Sequence, residues 1–343
     1  MTTRVLADFH HEDLFYSLHL LFEERLGWEL YRPIGLEWYQ EGYWNVYPHP
    51  ATAAQYLGLF QGTSWPEDTG CMNRQYVCED GIYYVKDTVH DITGRAVTLE
   101  KFSSMDFDIV ISSMPQHIHS FNRLIQQRQP KAKHIFQVGN AWGHQPGVAN
   151  IMASTAPFHV PGDINIVFYH QEFKLDLFSY QPPTNHKLAH SYIHYMREPE
   201  LLSQYRRELP DWTFKTYGAG MEDTIGPIKD MAEAYKRSGW TWHIKPEGDG
   251  YGYGCHRAFA CGRPLIIKGR YYQGKLLGPM LEDSVNCIDL SQHSLQENLN
   301  LLRYYSQPEL HLRICENAHK KFQDIVNFDA EEQKIRRFLS DLR

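Results

Sequence analysis

The densest group of residues with chemical use is the segment 243–267, HIKPEGDGYGYGCHRAFACGRPLII, where Gly248, Gly250, Gly252 and Gly254 alternate with Asp249, Tyr251 and Tyr253. Glycines at alternate positions let a backbone approach a ligand where side chains would block it. An apolar stretch precedes them and a helix-forming stretch follows, so they fall where a strand turns into a helix. A helix start offers N–H groups and the positive end of its dipole, which suits a phosphate. The dipole contributes about 0.3–1 kcal/mol, and about 2 kcal/mol when partly buried. A diphosphate needs more than that, and Lys245, His256 and Arg257 are the nearest cations. Tyr217 and Gly218 end an earlier apolar stretch and are placed to bound a base. Tyr272 follows the next one and is placed to meet a sugar or the diphosphate.

Two common phosphate motifs do not fit. No Lys-Ser or Lys-Thr follows the last glycine, which excludes the P-loop, and the glycines come late in the chain rather than after the first strand, which excludes the dinucleotide fingerprint.

The elements that must carry this loop alternate between strand and helix. Residues 4–9 read as a buried strand, and apolar residues at helical spacing from Leu14 to Leu26 follow, closed by Gly27. Residues 35–99, rich in Trp, Tyr, Gly and Pro, read as insertions or short hairpins. FDIVIS at 107–112 is a strand, residues to about 127 a helix, and 134–138 a further strand. The loop 139–146 is expected to begin the link to a second alternating series. That series runs from a strand at 164–169 through a helix at 201–209, a strand at 212–217, a helix at 227–237 and a strand at 240–245 to the glycine segment. Strands at 265–267 and 286–290 and terminal helices complete it. The order predicts an α/β protein of two Rossmann-like, doubly wound domains facing across a cleft. The expected boundaries are 1–158 for an acceptor-binding domain and 159–327 for a donor-binding domain, with residues 328–343 packing back on the first.

Composition agrees with a globular chain of two domains: 343 residues, 42% hydrophobic and 22% charged. The formal charge of −7 gives no general attraction for nucleic acid. The six cysteines show no zinc-ligand spacing. The N-terminus lacks an apolar signal core and no run is long enough to span a bilayer, so a cytoplasmic location without a membrane span is expected.

The segment 249–266 resembles the donor-site signature of glycosyltransferases with the two-domain GT-B fold. In their large paired-glutamate family the pattern is E-G-F-G, a short spacer, then E-A-x-A-C-G-x-P and an apolar strand. Asp249 falls where that family has its first Glu, and Ala258, Ala260, Cys261, Gly262, Pro264, Leu265 and Ile266 match the second part in register. Arg257 stands in place of the second Glu, so recognition of the ribose must come from elsewhere. The resemblance implies a nucleotide-sugar donor, with a UDP-sugar expected, and transfer of a hexose to an acceptor hydroxyl.

The resemblance also implies a catalytic histidine in the loop after the first strand. Here that loop holds His10 and His11, with Glu12 or Asp13 as orienting carboxylate. An imidazole with a reference pKa of about 6.5 suits proton removal near neutrality. No metal ligands are expected: Asp106 and Asp108 lead into a buried strand, and a divalent metal is neither required nor excluded by the sequence. The acceptor classes left open are a saccharide, a small molecule and a hydroxymethylated DNA base. Two other readings share the fold, a nucleotide-sugar epimerase and a non-catalytic nucleotide-sugar-binding protein.

Overall fold

The computed structural model describes residues 2–8, 12–34, 38, 76–113, 118–139, 143–193, 198–218, 221, 223, 226–246 and 248–343. The chain divides into two compact units, Met1–Ser154 with Phe158–Glu172 and Asp329–Arg343, and Thr155–Pro157 with Phe173–Phe328.

The strands of the first unit are β1 (Arg4–Ala7), β2 (Glu29–Pro33), β3 (Tyr76–Glu79), β4 (Ile82–Asp87), β5 (Ile92–Val97), β6 (Ile109–Ser112), β7 (Lys133–Val138), β8 (Asn150–Ala153) and β9 (Asn165–Phe168). Among the described residues they form one sheet in the order β3-β4-β5-β2-β1-β6-β7-β8-β9. The pairs from β5 through β9 are parallel, and β3–β4–β5 is an antiparallel meander. Helices α1 (Glu12–His19), α2 (Leu99–Ser104) and α3 (Ile118–Arg128) connect the strands. The 14–26 periodicity is one helix in sequence, but its second half, Leu20–Arg25, is wound as a π-helix. Gly27 ends it at φ +67°, the left-handed conformation that costs glycine little.

Val5, Leu6 and Ala7 of β1 are fully buried, as expected for a central parallel strand covered on both faces. Their neighbours in the core include Phe22, Ile111 and Met152. The strand that the sequence assigns to the second series, β9, instead pairs with β8 from Asn150↔Asn165 to Ala153↔Phe168 as the last strand of the first sheet.

The second unit holds β10 (Leu188–Ser191), β11 (Thr213–Thr216), β12 (Trp240–His243), β13 (Leu265–Ile267) and β14 (Cys287–Asp289). Among the described residues they form an all-parallel sheet in the order β11-β10-β12-β13-β14. Helices α4 (Pro199–Glu208), α5 (Ile228–Arg237), α6 (Tyr253–Ala260), α7 (Leu295–Tyr305) and α8 (Pro308–Ile325) alternate with or follow these strands. Ser294 caps α7 in a reciprocal capping box with Glu297. The core gathers Trp240, Trp242, Ile266, Ile288 and Leu302. A last helix, α9 (Phe328–Ser340), returns to the first unit, where Ile335 and Phe338 join the core of β1 and α1.

No helix among the described residues is long and apolar enough to cross a membrane.

Candidate active site

β10 lies between β11 and β12, so the chain winds outward to β11 and then reverses to β12. In open parallel sheets ligands bind beyond the carboxyl ends of the strands at such a reversal. The glycine loop leaves β12 at that place and enters α6. Gly248 sits at φ +64°, and a Cβ there would lie 2.4 Å from the Tyr271 carbonyl oxygen. Gly252 caps α6 in the left-handed conformation, φ +76° and ψ +49°. The helix ladder begins with Cys255 and His256 N–H donating to the Gly252 carbonyl. N–H groups earlier in a helix have no carbonyl four residues back to bond, which is what an anion uses.

The charged residues of the loop are already organised. Lys245 Nζ donates to Asp249 Oδ1, and His243 Nε2 lies 3.4 Å from Asp249 Oδ2. Burial resists ionisation of Asp249, but His243 and the Lys245 ammonium outweigh it and hold the carboxyl well below the usual carboxylate range. His256 is fully buried, its ring stacked on Tyr251 at 4.2 Å between centroids and its Nδ1 3.0 Å from the Gly252 oxygen. Arg257 is only 2% exposed. Its guanidinium lies 4.1 Å from the Tyr253 ring centre and 4.9 Å from that of Phe178, with Nη1 3.3 Å from Met231 Sδ. Of the three cations expected around a diphosphate, His256 and Arg257 are buried among the rings of Tyr251, Tyr253 and Phe178.

Tyr217 ends β11 in a ladder of rings. It stacks on Tyr192 at 5.5 Å, and Tyr192 stacks on Tyr235 at 4.1 Å. Gly218 follows at φ +135° and donates its N–H to Asp223. Tyr272 is fully buried beside His243, and burial pushes its phenol far above the ordinary range.

A group missed in the sequence joins two loops of this sheet. Glu198, at the start of α4, accepts from the Tyr271 hydroxyl at 2.5 Å and from Lys268 Nζ at 2.5 Å. These partners are 73 and 70 residues away in sequence, so no local spacing reveals them.

In the first unit, His10 and His11 lie outside the described residues. Asp13 Oδ1 accepts from His90 Nε2 at 3.2 Å, and His90 Nδ1 lies 2.8 Å from Asp87 Oδ2. Burial lowers the His90 pKa, but the two carboxylates outweigh it and raise it to about 9. His90 is therefore an imidazolium at neutral pH and cannot accept a proton there. Asp8, just past β1, is buried and accepts from both the N–H and the hydroxyl of Ser113. Asp108 accepts from the Arg4 N–H at 2.8 Å, and the Asp106 carbonyl accepts from the Arg4 guanidinium. Among the described residues no group of three or more His, Cys, Asp or Glu side chains is arranged to hold a metal ion.

No family model matches this chain, and no curated protein matches its sequence. Its fold, however, is that of the GT-B glycosyltransferases. Anabaena HepE, solved in complex with UDP-glucose, superposes with a TM-score of 0.63 at 10% identity, over 99% of this chain and 100% of that one. Sucrose-phosphate synthase from Thermosynechococcus elongatus gives 0.61 at 10% identity, over 98% of each chain. An alpha-glucosyltransferase in complex with UDP and a 13-mer DNA containing a HMU base gives 0.62 at 8% identity, over 99% of this chain and 100% of that one. At such low identity the likeness establishes the fold.

Proposed function

We propose that this chain is a glycosyltransferase that moves a sugar, a hexose in our reading, from a nucleoside-diphosphate-sugar to an acceptor hydroxyl. The observation that carries the reading is the glycine loop at the reversal point of the second sheet, running into the N-terminus of α6 with Asp249 held ionised beside it. The loop backbone and helix start take the diphosphate. Lys245 supplies positive charge, and Asp249 takes sugar hydroxyls, since an ionised carboxylate accepts strong hydrogen bonds. Tyr217 and Gly218 bound the base. UDP is the favoured nucleotide, because HepE and the alpha-glucosyltransferase were solved with it.

On the acceptor side, His10 or His11, next after β1 in sequence, removes the hydroxyl proton. Asp13 contributes through the ion pair with His90 rather than as a free orienter. A saccharide, a small molecule and a hydroxymethylated DNA base are the acceptor classes to compare. The last is of interest because a DNA ligand was solved with one protein of this fold.

The test is a thermal-shift panel of UDP-, GDP-, dTDP- and ADP-sugars, because a ligand of the native state raises its stability by mass action. It is followed by measurement of nucleoside diphosphate release with and without each acceptor. One nucleotide-sugar should raise the melting temperature and release its diphosphate. If none of the four shifts the melting temperature at millimolar concentration, the reading fails.

A further inference from the structure

A cavity adjoins the glycine loop. The loops after β13 and β14 border an open cavity of about 800 Å³, lined by residues of the second unit. That is within the range of about 300–1,000 Å³ common for small-molecule sites. Its side-chain chemistry is of two kinds. Arg270 and Lys275 bring positive charge to the wall, the Gln273 carboxamide brings donors and an acceptor, and that of Gln292, whose Nε2 already donates to Asp289, brings its oxygen and a second N–H.

The carboxylate on the wall, Asp289, offsets one of these two charges and leaves the wall with a net positive charge. Asp289 accepts from the Gly269 N–H at 2.7 Å, the Ser291 N–H at 3.0 Å, the Ser291 hydroxyl at 2.5 Å and Gln292 Nε2 at 3.1 Å. Its oxygens are spent on holding the β13 and β14 loops together. Gly269 is what lets them meet, because a Cβ there would stand 2.3 Å from Asp289 Oδ2. The wall is therefore fixed in shape.

The Arg270 guanidinium is also held in place, stacked 5.2 Å from the Tyr271 ring centre. Tyr271 is in turn anchored by its hydroxyl to Glu198. An arginine ordered before binding loses less entropy when it pairs with an anion, and its fork pairs two oxygens at once. Gly274, at φ +68°, has nothing within 4 Å of where a Cβ would be, so the wall beside it stays open.

We propose that this cavity binds a small saccharide bearing an anionic group, either a sugar carboxylate or a sugar phosphate. Arg270 and Lys275 take the anion, and Gln273 and Gln292 take hydroxyls. The ligand lies beside the glycine loop, because Lys275 Nζ is 3.2 Å from where a Cβ on Gly248 would be. The site is defined without reference to a nucleotide, so it stands or falls apart from the donor reading.

The test is calorimetric titration of the full chain, without nucleotide, against glucose, glucuronate, glucose 6-phosphate and inorganic phosphate. Tenfold or tighter binding of glucuronate than of glucose assigns a sugar carboxylate. The same preference for glucose 6-phosphate assigns a sugar phosphate. Arg270 is exposed, so Arg270→Gln should fold normally, checked by an unchanged melting temperature, and should weaken the preferred ligand at least tenfold. Lys275→Gln should act in the same direction. The proposal is overturned if neither anionic sugar exceeds glucose, if inorganic phosphate binds as tightly as glucose 6-phosphate, or if both variants bind within twofold of the parent.

Discussion

The His90 imidazole lies between two carboxylates, 2.8 Å from Asp87 and 3.2 Å from Asp13, with its ring stacked 4.5 Å from Tyr16. It ties the turn between β4 and β5 to the first turn of α1. The His90 pKa rises from 6.5 to about 9 on folding, so the folded state holds the proton more tightly than the unfolded chain. That stabilisation is complete below about pH 6.5 and is lost as pH rises through about 9. At 1.36 kcal/mol per pKa unit it is on the order of 3 kcal/mol. Urea unfolding of the parent and His90→Gln at pH 6 and pH 9.5 should therefore show a large difference at the lower pH and a small one at the higher. Equal differences at both pH values would refute the linkage.

Gly248 should be more sensitive than its neighbours. Alanine there meets the Tyr271 carbonyl at 2.4 Å and a positive φ at once. Backbone at a disfavoured φ costs about 1–3 kcal/mol. Gly248→Ala should weaken nucleotide-sugar affinity about tenfold or more by displacing the loop. Asp249→Asn, which keeps the shape and removes the charge, should weaken the nucleotide-sugar but leave the affinity for the free nucleoside diphosphate within threefold. Equal loss for both ligands would show that Asp249 acts by positioning Lys245 at the phosphates rather than by binding the sugar.

Much of this loop was legible in sequence because it is contiguous: strand, glycines, helix and Gly-x-Pro turn fall within 25 residues of one another and need no long-range partner. Arg257 was legible only in part. It stands four residues after Tyr253, on the same helix face, and that spacing already pairs the guanidinium with the ring. Some short strands were not legible. β10 reads LAHS, with no β-branched or aromatic residue, and β8 reads NIMA, with Ile151 alone, and both are set by neighbours on either side. β9 was visible as a strand, yet its own residues could not say which sheet would pair with it. Asp13 and His90 are 77 residues apart, and His90 lies in a stretch with no regular period.

Arg257 should matter first for stability. Truncation to alanine removes cation–π contacts with two rings and leaves a void beside Met231. Such contacts are worth about 0.5–2 kcal/mol, and the lost packing adds to them. Arg257→Ala should lower the melting temperature of the chain without nucleotide by several degrees. Arg257→Met, which refills the space, should recover part of the loss and keep nucleotide-sugar affinity within about threefold. A Met variant that is stable but binds tenfold more weakly would place the guanidinium at the ligand instead.

Arg25 should control whether α9 stays docked on the first unit. Its guanidinium donates to Glu172, at 2.7 Å from Nε to Oε2, and to Asp329 and Glu332 at 2.7 and 3.1 Å, so one side chain joins the end of the first sheet's last loop to α9. Glu172 is 17% exposed and Glu332 15%, while Asp329 is 89% exposed and adds little. Arg25→Ala takes the Arg25 cation away from partly buried Glu172 while Glu332 keeps Arg336 at 2.7 Å, and removing one partner of a partly buried pair costs more than the pair itself contributes. His170 and Glu331, at 2.5 Å, hold the next turn of α9, and Ile335 and Phe338 are buried beneath it, so the helix should loosen rather than leave. Hydrogen exchange should therefore quicken at least tenfold at the first two turns of α9 in Arg25→Ala and stay near the parent rate around Phe338. Uniform protection along α9 in the variant would show that the apolar contacts alone set the docking of the helix.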